Sequence, residues 1–106
     1  MFLNYKKIKQ AINGKRYTLF IANTNLKKRK GLSGIKNIPR NCGMLFPYNK
    51  EEPDRSFTMK NVYFPLHIIF LDKNMNIVHQ EKASPNQRNL VICKNPSMYV
   101  VEIPAW

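Results

Sequence analysis

Apolar and polar residues alternate with a period of two in several short runs along the chain, the spacing of half-buried strands rather than of helices. In Lys15 to Ala22, Tyr17, Leu19 and Ile21 alternate with Thr18, Phe20 and Ala22. Both faces of this run are apolar, as in a strand covered on two sides. The run before it, Tyr5 to Ile12, carries Lys6, Lys7 and Lys9. It reads as an exposed edge strand, since edge lysines discourage pairing with foreign strands. Asn13-Gly14 lies between the two, and both residue types tolerate positive φ, so the pair predicts a two-residue hairpin turn.

Downstream, Asn23-Thr24-Asn25 offers N-cap residues ahead of Leu26 to Lys30, and Gly31 and Gly34 end the segment within about two turns. Its charges are all cationic, which is unfavourable at a helix N-terminus, so packing is expected to hold this short helix. Cys42 to Phe46 predicts a strand stopped by Pro47, followed by a polar loop over Asn49 to Arg55. Ser56 to Asn61 predicts a strand with Phe57, Met59 and Asn61 on one face. Leu66 to Leu71, opened by Pro65, reads as a central strand, and a turn at Asp72 to Met75 leads to a hairpin partner at Ile77 to Gln80. A loop through Ser84-Pro85-Asn86 precedes two further runs, Leu90 to Lys94 and Met98 to Ile103. The predicted fold is mainly β (α+β at most), a small curved antiparallel sheet or partly closed barrel with one short helix.

At 106 residues the chain is expected to be one domain with room for a single modest core. No apolar run reaches the roughly 18 residues of a bilayer span, and Met1 to Lys7 lacks the apolar stretch of a secretory signal. The expected setting is therefore cytoplasmic, or inside a larger particle, with no membrane partner. Cys42 and Cys93 are read as reduced and partly buried, with a disulfide between them left open.

Charge changes the picture most. The formal net charge is +12, and residues 1 to 50 hold twelve of the eighteen basic residues and none of the six acids. Such an imbalance predicts attraction to anionic surfaces. The cations expected to make that contact are Lys6, Lys7, Lys9, Lys15 and Arg16 in the N-terminal hairpin (residues 1–22), with Lys27, Lys28, Arg29 and Lys30 in the helix. Tyr5, Tyr17, Phe20, Phe46 and Tyr48 are interleaved with them, so exposed rings could stack bases while cations neutralise phosphates.

Several spaced segments resemble the family called domain of unknown function 192. They are Arg29-Lys30-Gly31-Leu32, Gly43-Met44-Leu45-Phe46, Phe57-Thr58-Met59-Lys60-Asn61 and Pro65-Leu66-His67-Ile68-Ile69-Phe70-Leu71-Asp72, with a closing Tyr99 to Ala105. The resemblance covers residues 29–104. It implies a fold and a set of candidate positions, since the family's biochemical role is itself unestablished. Ser33, Thr58, Val62, His67 and Asn74 stand where the family usually has Met, Trp, Thr, Asp and Gly.

Met59, Lys60, Asn61 and Glu102 form a candidate pocket inside the half-barrel. Asn61 is expected to hydrogen-bond backbone at its corner, as buried amides must find partners. Arg29 is expected to pair with Asp72 or Glu102, pinning the helix to the sheet, with anion binding as its alternative role. His67, His79, Cys42 and Cys93 supply four donors, but their spacing matches no zinc motif, so no metal or other cofactor is expected. Cys42, His67 and Asp72 could be written as a nucleophile, base and orienting acid, yet nothing in the sequence brings them together, and no phosphate loop or HExxH motif occurs. The protein is therefore expected not to be an enzyme. The leading expectation is a binding module whose basic N-terminal half docks on nucleic acid or on an acidic protein surface. The alternatives are a structural subunit of a large assembly such as a virus particle, and a small-ligand-binding half-barrel.

Overall fold

The structure is a computed structural model and describes residues 2–106. Eight strands and one helix follow in the order β1 (Lys7–Ile12), β2 (Lys15–Ile21), α1 (Asn25–Lys30), β3 (Cys42–Glu52), β4 (Arg55–Phe57), β5 (Leu66–Leu71), β6 (Ile77–Ala83), β7 (Val91–Cys93) and β8 (Ser97–Pro104). Six strands form one sheet in the order β1-β2-β3-β8-β5-β6, and β4 pairs with β7 in a separate two-stranded ribbon.

The hairpin turn forms as its sequence requires. Asn13 and Gly14 both adopt positive φ, at 51° and 81°, and Ile12 pairs with Lys15 across them. All sheet pairings are antiparallel except β2 with β3, which is parallel. The sheet is thus mainly antiparallel, as expected, with one parallel pair. Parallel neighbours need a long crossover, and the segment carrying α1 supplies it. The Asn13 side-chain amide in the β1–β2 turn donates to Gln80 Oε1 in β6 at 3.4 Å, so the ends of the sheet approach each other. The sheet curls without closing into a barrel.

Alternation along the strands builds two cores, one on each face, where a single core was expected. One cluster is aliphatic and lies within the curl: Ile12, Leu19, Leu45, Ile69, Leu71, Val101 and Ile103. The other contains Met44, Phe46, Ile68, Phe70 and Val100 from the sheet, covered by Val91 and Cys93 of the ribbon and by Leu32, Ile38, Val62 and Phe64 from loops. Successive residues of one strand go to opposite clusters, so a small sheet organises both.

Two predicted strands have different limits. β3 does not stop at Pro47 but continues to Glu52, with an irregular register against β8 between Pro47 and Glu52. A bulged segment accommodates a proline that a regular ladder would exclude. Ser56 to Asn61 is strand only as far as Phe57, because the chain turns at Met59–Val62 and Asn61 adopts φ 61°. Helix α1 begins as predicted, with Thr24 Oγ1 accepting from Lys27 N at 3.1 Å, and Gly31 (φ 50°) donates to the Lys27 carbonyl at its end. Packing of apolar residues does not hold it, since none of its residues is buried. Lys27 instead donates to the Asn4 carbonyl and lies over the Tyr5 ring, and Lys28 lies over the Tyr48 ring.

Candidate functional site

Strand β8 places one acid among apolar neighbours. Val101 and Ile103 belong to the aliphatic cluster, so Glu102 faces the opposite side, paired with Met44 of β3 and Ile68 of β5. The residue is only 4% exposed, yet its carboxyl has no hydrogen bond or ion pair to any described residue. Burial alone pushes its pKa from 4.5 up to about 8, because removing a carboxylate from water disfavours its charge.

A cavity of about 460 Å³ opens above this carboxyl. Besides Glu102 of β8, its lining comes from three parts of the chain. The C-terminal end of α1 and the turn after it contribute Lys28, Arg29, Lys30 and Ser33; β3 contributes Phe46 and Tyr48; β4 and the following loop contribute Phe57, Thr58, Lys60 and Asn61. Four cations therefore share the cleft with one carboxyl. The Tyr48 ring lies against two cations, Lys28 Nζ at 4.2 Å and the Arg55 guanidinium at 3.7 Å from its centroid. Arg55 is itself fixed by donating to the Lys50 and Ser97 carbonyls at 3.1 Å. Burial, then the charge of Arg55, lowers the Lys28 pKa, while burial raises that of Tyr48.

The structure thus divides the predicted basic residues between two places. Lys28, Arg29 and Lys30 join Lys60, Asn61 and Glu102 in one cleft, whereas Lys6, Lys7, Lys9, Lys15 and Arg16 are exposed on the β1–β2 hairpin and its approach. Lys27 is tied to Asn4 and Tyr5 beside the cleft. Met59 was expected in the pocket but lies fully buried in the core beneath it, because the strand ends at Phe57 and the turn points its side chain inward.

The expected salt bridge of Arg29 does not form. Asp72 Oδ1 is occupied by its own turn, accepting from Asn74 N and Asn76 N at 2.9 Å, and Glu102 has no partner, so Arg29 stays on the cleft rim. The amide of Asn61 likewise makes no bond to backbone. Its own N–H instead donates to Asn86 Oδ1 at 2.9 Å, and its carbonyl accepts from Gly34 N. Position 61 is set by its positive φ, which asparagine tolerates better than most residues.

The other constellations do not assemble. His67 pairs with Lys82 and His79 with Phe70, so the two histidines are offset along the hairpin, and His79 Nε2 contacts Glu81 Oε1 at 3.2 Å. Among the described residues no three His, Cys, Asp or Glu side chains come together as a metal-binding group. Cys42 and Cys93 are both free, the first half-buried and the second buried. Sequence reasoning missed Tyr48, Phe57 and Thr58 as cleft residues. Tyr48 lies beyond Pro47, where the strand was expected to have ended.

The comparisons with known proteins concern the fold. The family model of DUF192, an uncharacterized ACR, matches residues 7–105. The match reaches back through the basic hairpin, which therefore belongs to the family's domain instead of preceding it. A crystal structure from Sinorhizobium meliloti 1021, described as a putative transcription regulator, is 26% identical, with a TM-score of 0.80 over 95% of this chain and 82% of that one. A protein of unknown function from Novosphingobium aromaticivorans DSM 12444 is 23% identical, with a TM-score of 0.81 over 95% and 74% of the two chains. No curated protein gives a significant match.

Proposed function

Because the chain belongs to the DUF192 family, whose chemistry is uncharacterized, its role has to be read from its own cleft, and we propose a non-catalytic binding module that captures a small anionic molecule there. One observation carries this reading. Lys28, Arg29, Lys30 and Lys60 surround a cavity of small-ligand size, and none of them forms an ion pair with a described acid. Cations left unpaired around a concave surface focus a field that draws anions in. The lining offers hydroxyls from Ser33, Tyr48, Ser56 and Thr58, and none of them is hydrogen-bonded to a base as an activated nucleophile would be.

Thermal unfolding in the presence of small organic and inorganic anions tests the reading. At least one anion class should raise the midpoint, and a Lys28→Gln/Lys60→Gln double variant should lose most of that shift. Unfolding midpoints indifferent to every anion would remove the cleft as a binding site.

The hairpin supports a second reading. Lys6, Lys7, Lys9, Lys15 and Arg16 are exposed and have no acidic partner among the described residues, which suits contact with nucleic acid. The description of the Sinorhizobium protein as a putative transcription regulator is in keeping with it. Fluorescence anisotropy with labelled mixed-sequence DNA and RNA should then give micromolar binding that weakens along a linear log–log salt plot. Absence of binding at low salt, from so basic a chain, would sink this second role.

A further inference from the structure

The cleft has three chemically distinct zones, and only one of them is cationic. The rim carries Lys28, Arg29, Lys30 and Lys60; the wall carries Phe46, Tyr48 and Phe57; the floor carries Glu102, the sole acid in the lining. A bare inorganic anion would engage the rim and leave the wall uncovered and the buried carboxyl without a partner. Driven to the floor, it would face repulsion as soon as that carboxyl ionised. A flat apolar anion would cover the wall and displace the solvent above the carboxyl without replacing its hydrogen bonds, which is costly. A hydroxyl resolves the conflict in either protonation state, because it donates to a carboxylate and accepts from a carboxylic acid.

Building on the reading of the cleft as an anion site, we infer that its ligand is a phosphorylated sugar, with phosphate on the lysines of the rim and ring hydroxyls on the Glu102 carboxyl. The sugar ring then lies between them along the wall, its weakly positive C–H face against the negative faces of the aromatic rings. The cavity of about 460 Å³ accommodates a ligand of this size. Both a free sugar phosphate and the ribose phosphate of a nucleotide present this chemistry.

The floor supplies a readout that a nonspecific anion site lacks. Glu102 is mostly protonated at pH 7, and hydroxyls donating to it favour the ionised form, so binding should release a proton. The groups facing it are apolar from β3 and β5, at Met44 and Ile68; the other titratable or charged groups around the cleft are Tyr48, Lys28, Arg29, Lys30, Lys60 and the Arg55 that stacks on Tyr48, and none of them is a carboxyl.

The test is calorimetric titration of the full chain with glucose 6-phosphate, AMP, phenyl phosphate and inorganic phosphate at pH 7, in two buffers of different ionisation enthalpy. Glucose 6-phosphate or AMP should bind at least tenfold more tightly than phenyl phosphate and inorganic phosphate, roughly the effect of one hydrogen bond to a charged group, and should release a proton. Which of the two binds identifies the source of the sugar. In Glu102→Gln, the preferred ligand should weaken about tenfold and the proton release should disappear, while inorganic phosphate is unchanged. Subtracting the variant also removes any proton lost by the phosphate itself, and the wild-type proton count stands even if the variant folds poorly. Phenyl or inorganic phosphate binding as tightly as the sugar phosphates, or equal proton release from wild type and variant, would overturn the inference and leave a general anion site. If no anion binds at all, the anion site falls with it.

Discussion

Val101 and Ile103 face one side of the central strand β8, Val100 and Glu102 the other, and the two sides of the sheet are finished differently. The inner side has an aliphatic centre with Tyr17, Ile21 and Tyr99 packed against it, and is closed by the curl of the sheet itself. The outer side is covered by separate pieces: the short ribbon of β4 and β7, the loops through Leu32, Ile38 and Phe64, and a helix with no buried residue. Those pieces do not meet completely, and the gap between them is the cleft over Glu102. A buried carboxyl without a partner is tolerable where a cavity adjoins it and would be intolerable on the sealed side. The site thus exists because one strand serves a self-closing layer on one face and an incomplete layer on the other.

The sharpest way to break this contrast is through the pH dependence of stability. The folded-state pKa of Glu102 is raised from 4.5 to about 8, so folding favours the protonated form. Its contribution is fully retained below about pH 4.5, falls as pH rises, and is constant above about pH 8. Glu102→Gln removes this dependence. Relative to wild type, the variant should gain on the order of 4 kcal/mol between pH 5 and pH 9, at about 1.4 kcal/mol per pH unit. Urea unfolding at several pH values measures the difference while the titration of surface charges cancels. Parallel curves for the two proteins would mean that the carboxyl is well solvated or paired in the folded state.

The sealed face should resist added volume. A Cβ on Gly43 would collide with the Glu102 carbonyl oxygen and sit 2.7 Å from Ile103 Cγ2, with Leu19 Cδ2 at 3.2 Å. Because backbone cannot yield there, Gly43→Ala should cost about 3 kcal/mol in chemical unfolding. A cost below about 0.5 kcal/mol would mean that β3 and β8 separate easily and that the inner face is not closed. On the open side the effects are smaller and come from backbone. Asn61 holds φ 61°, so Asn61→Val should destabilise by about 1–2 kcal/mol, whereas Asn61→Gly should stay within about 0.5 kcal/mol. Equal losses for both would assign the cost to the amide side chain instead of the backbone.

The legible parts of this molecule were those whose cause is local. Asn13-Gly14 announced its turn through its tolerance of positive φ, Thr24 its cap through its hydroxyl, and Leu66 to Leu71 its interior strand through an apolar run interrupted only by His67. Glu102 was expected in the candidate pocket, and it does line the cleft. What the sequence hid depends on pairing between distant segments. Pro47 looked like a terminator because its accommodation in a bulge requires β8 opposite it. The parallel register of β2 with β3 leaves no trace in either strand's alternation. Arg29 and Asp72 looked complementary on charge alone, but two backbone N–H groups of its own turn had already claimed the Asp72 carboxylate.

The smallest expected effect separates the two groups of cations. If the outer-face cleft is a site in its own right, its affinity depends on the lysines that line it, and the hairpin lysines contribute only through a screened, long-range field. At physiological salt the Debye length is about 8 Å, so exposed charges beyond that distance are largely screened. Replacing Lys6, Lys7 and Lys9 with Gln should therefore leave the affinity of the cleft for a small anion within about twofold, while Lys28→Gln or Lys60→Gln weakens it severalfold. Lowering the salt should make the hairpin substitutions matter more and the rim substitutions little more than before. A hairpin variant that weakens small-anion binding as much as a rim variant, at physiological salt, would merge the two groups into one basic surface. The cleft would then lose its standing as a separate site.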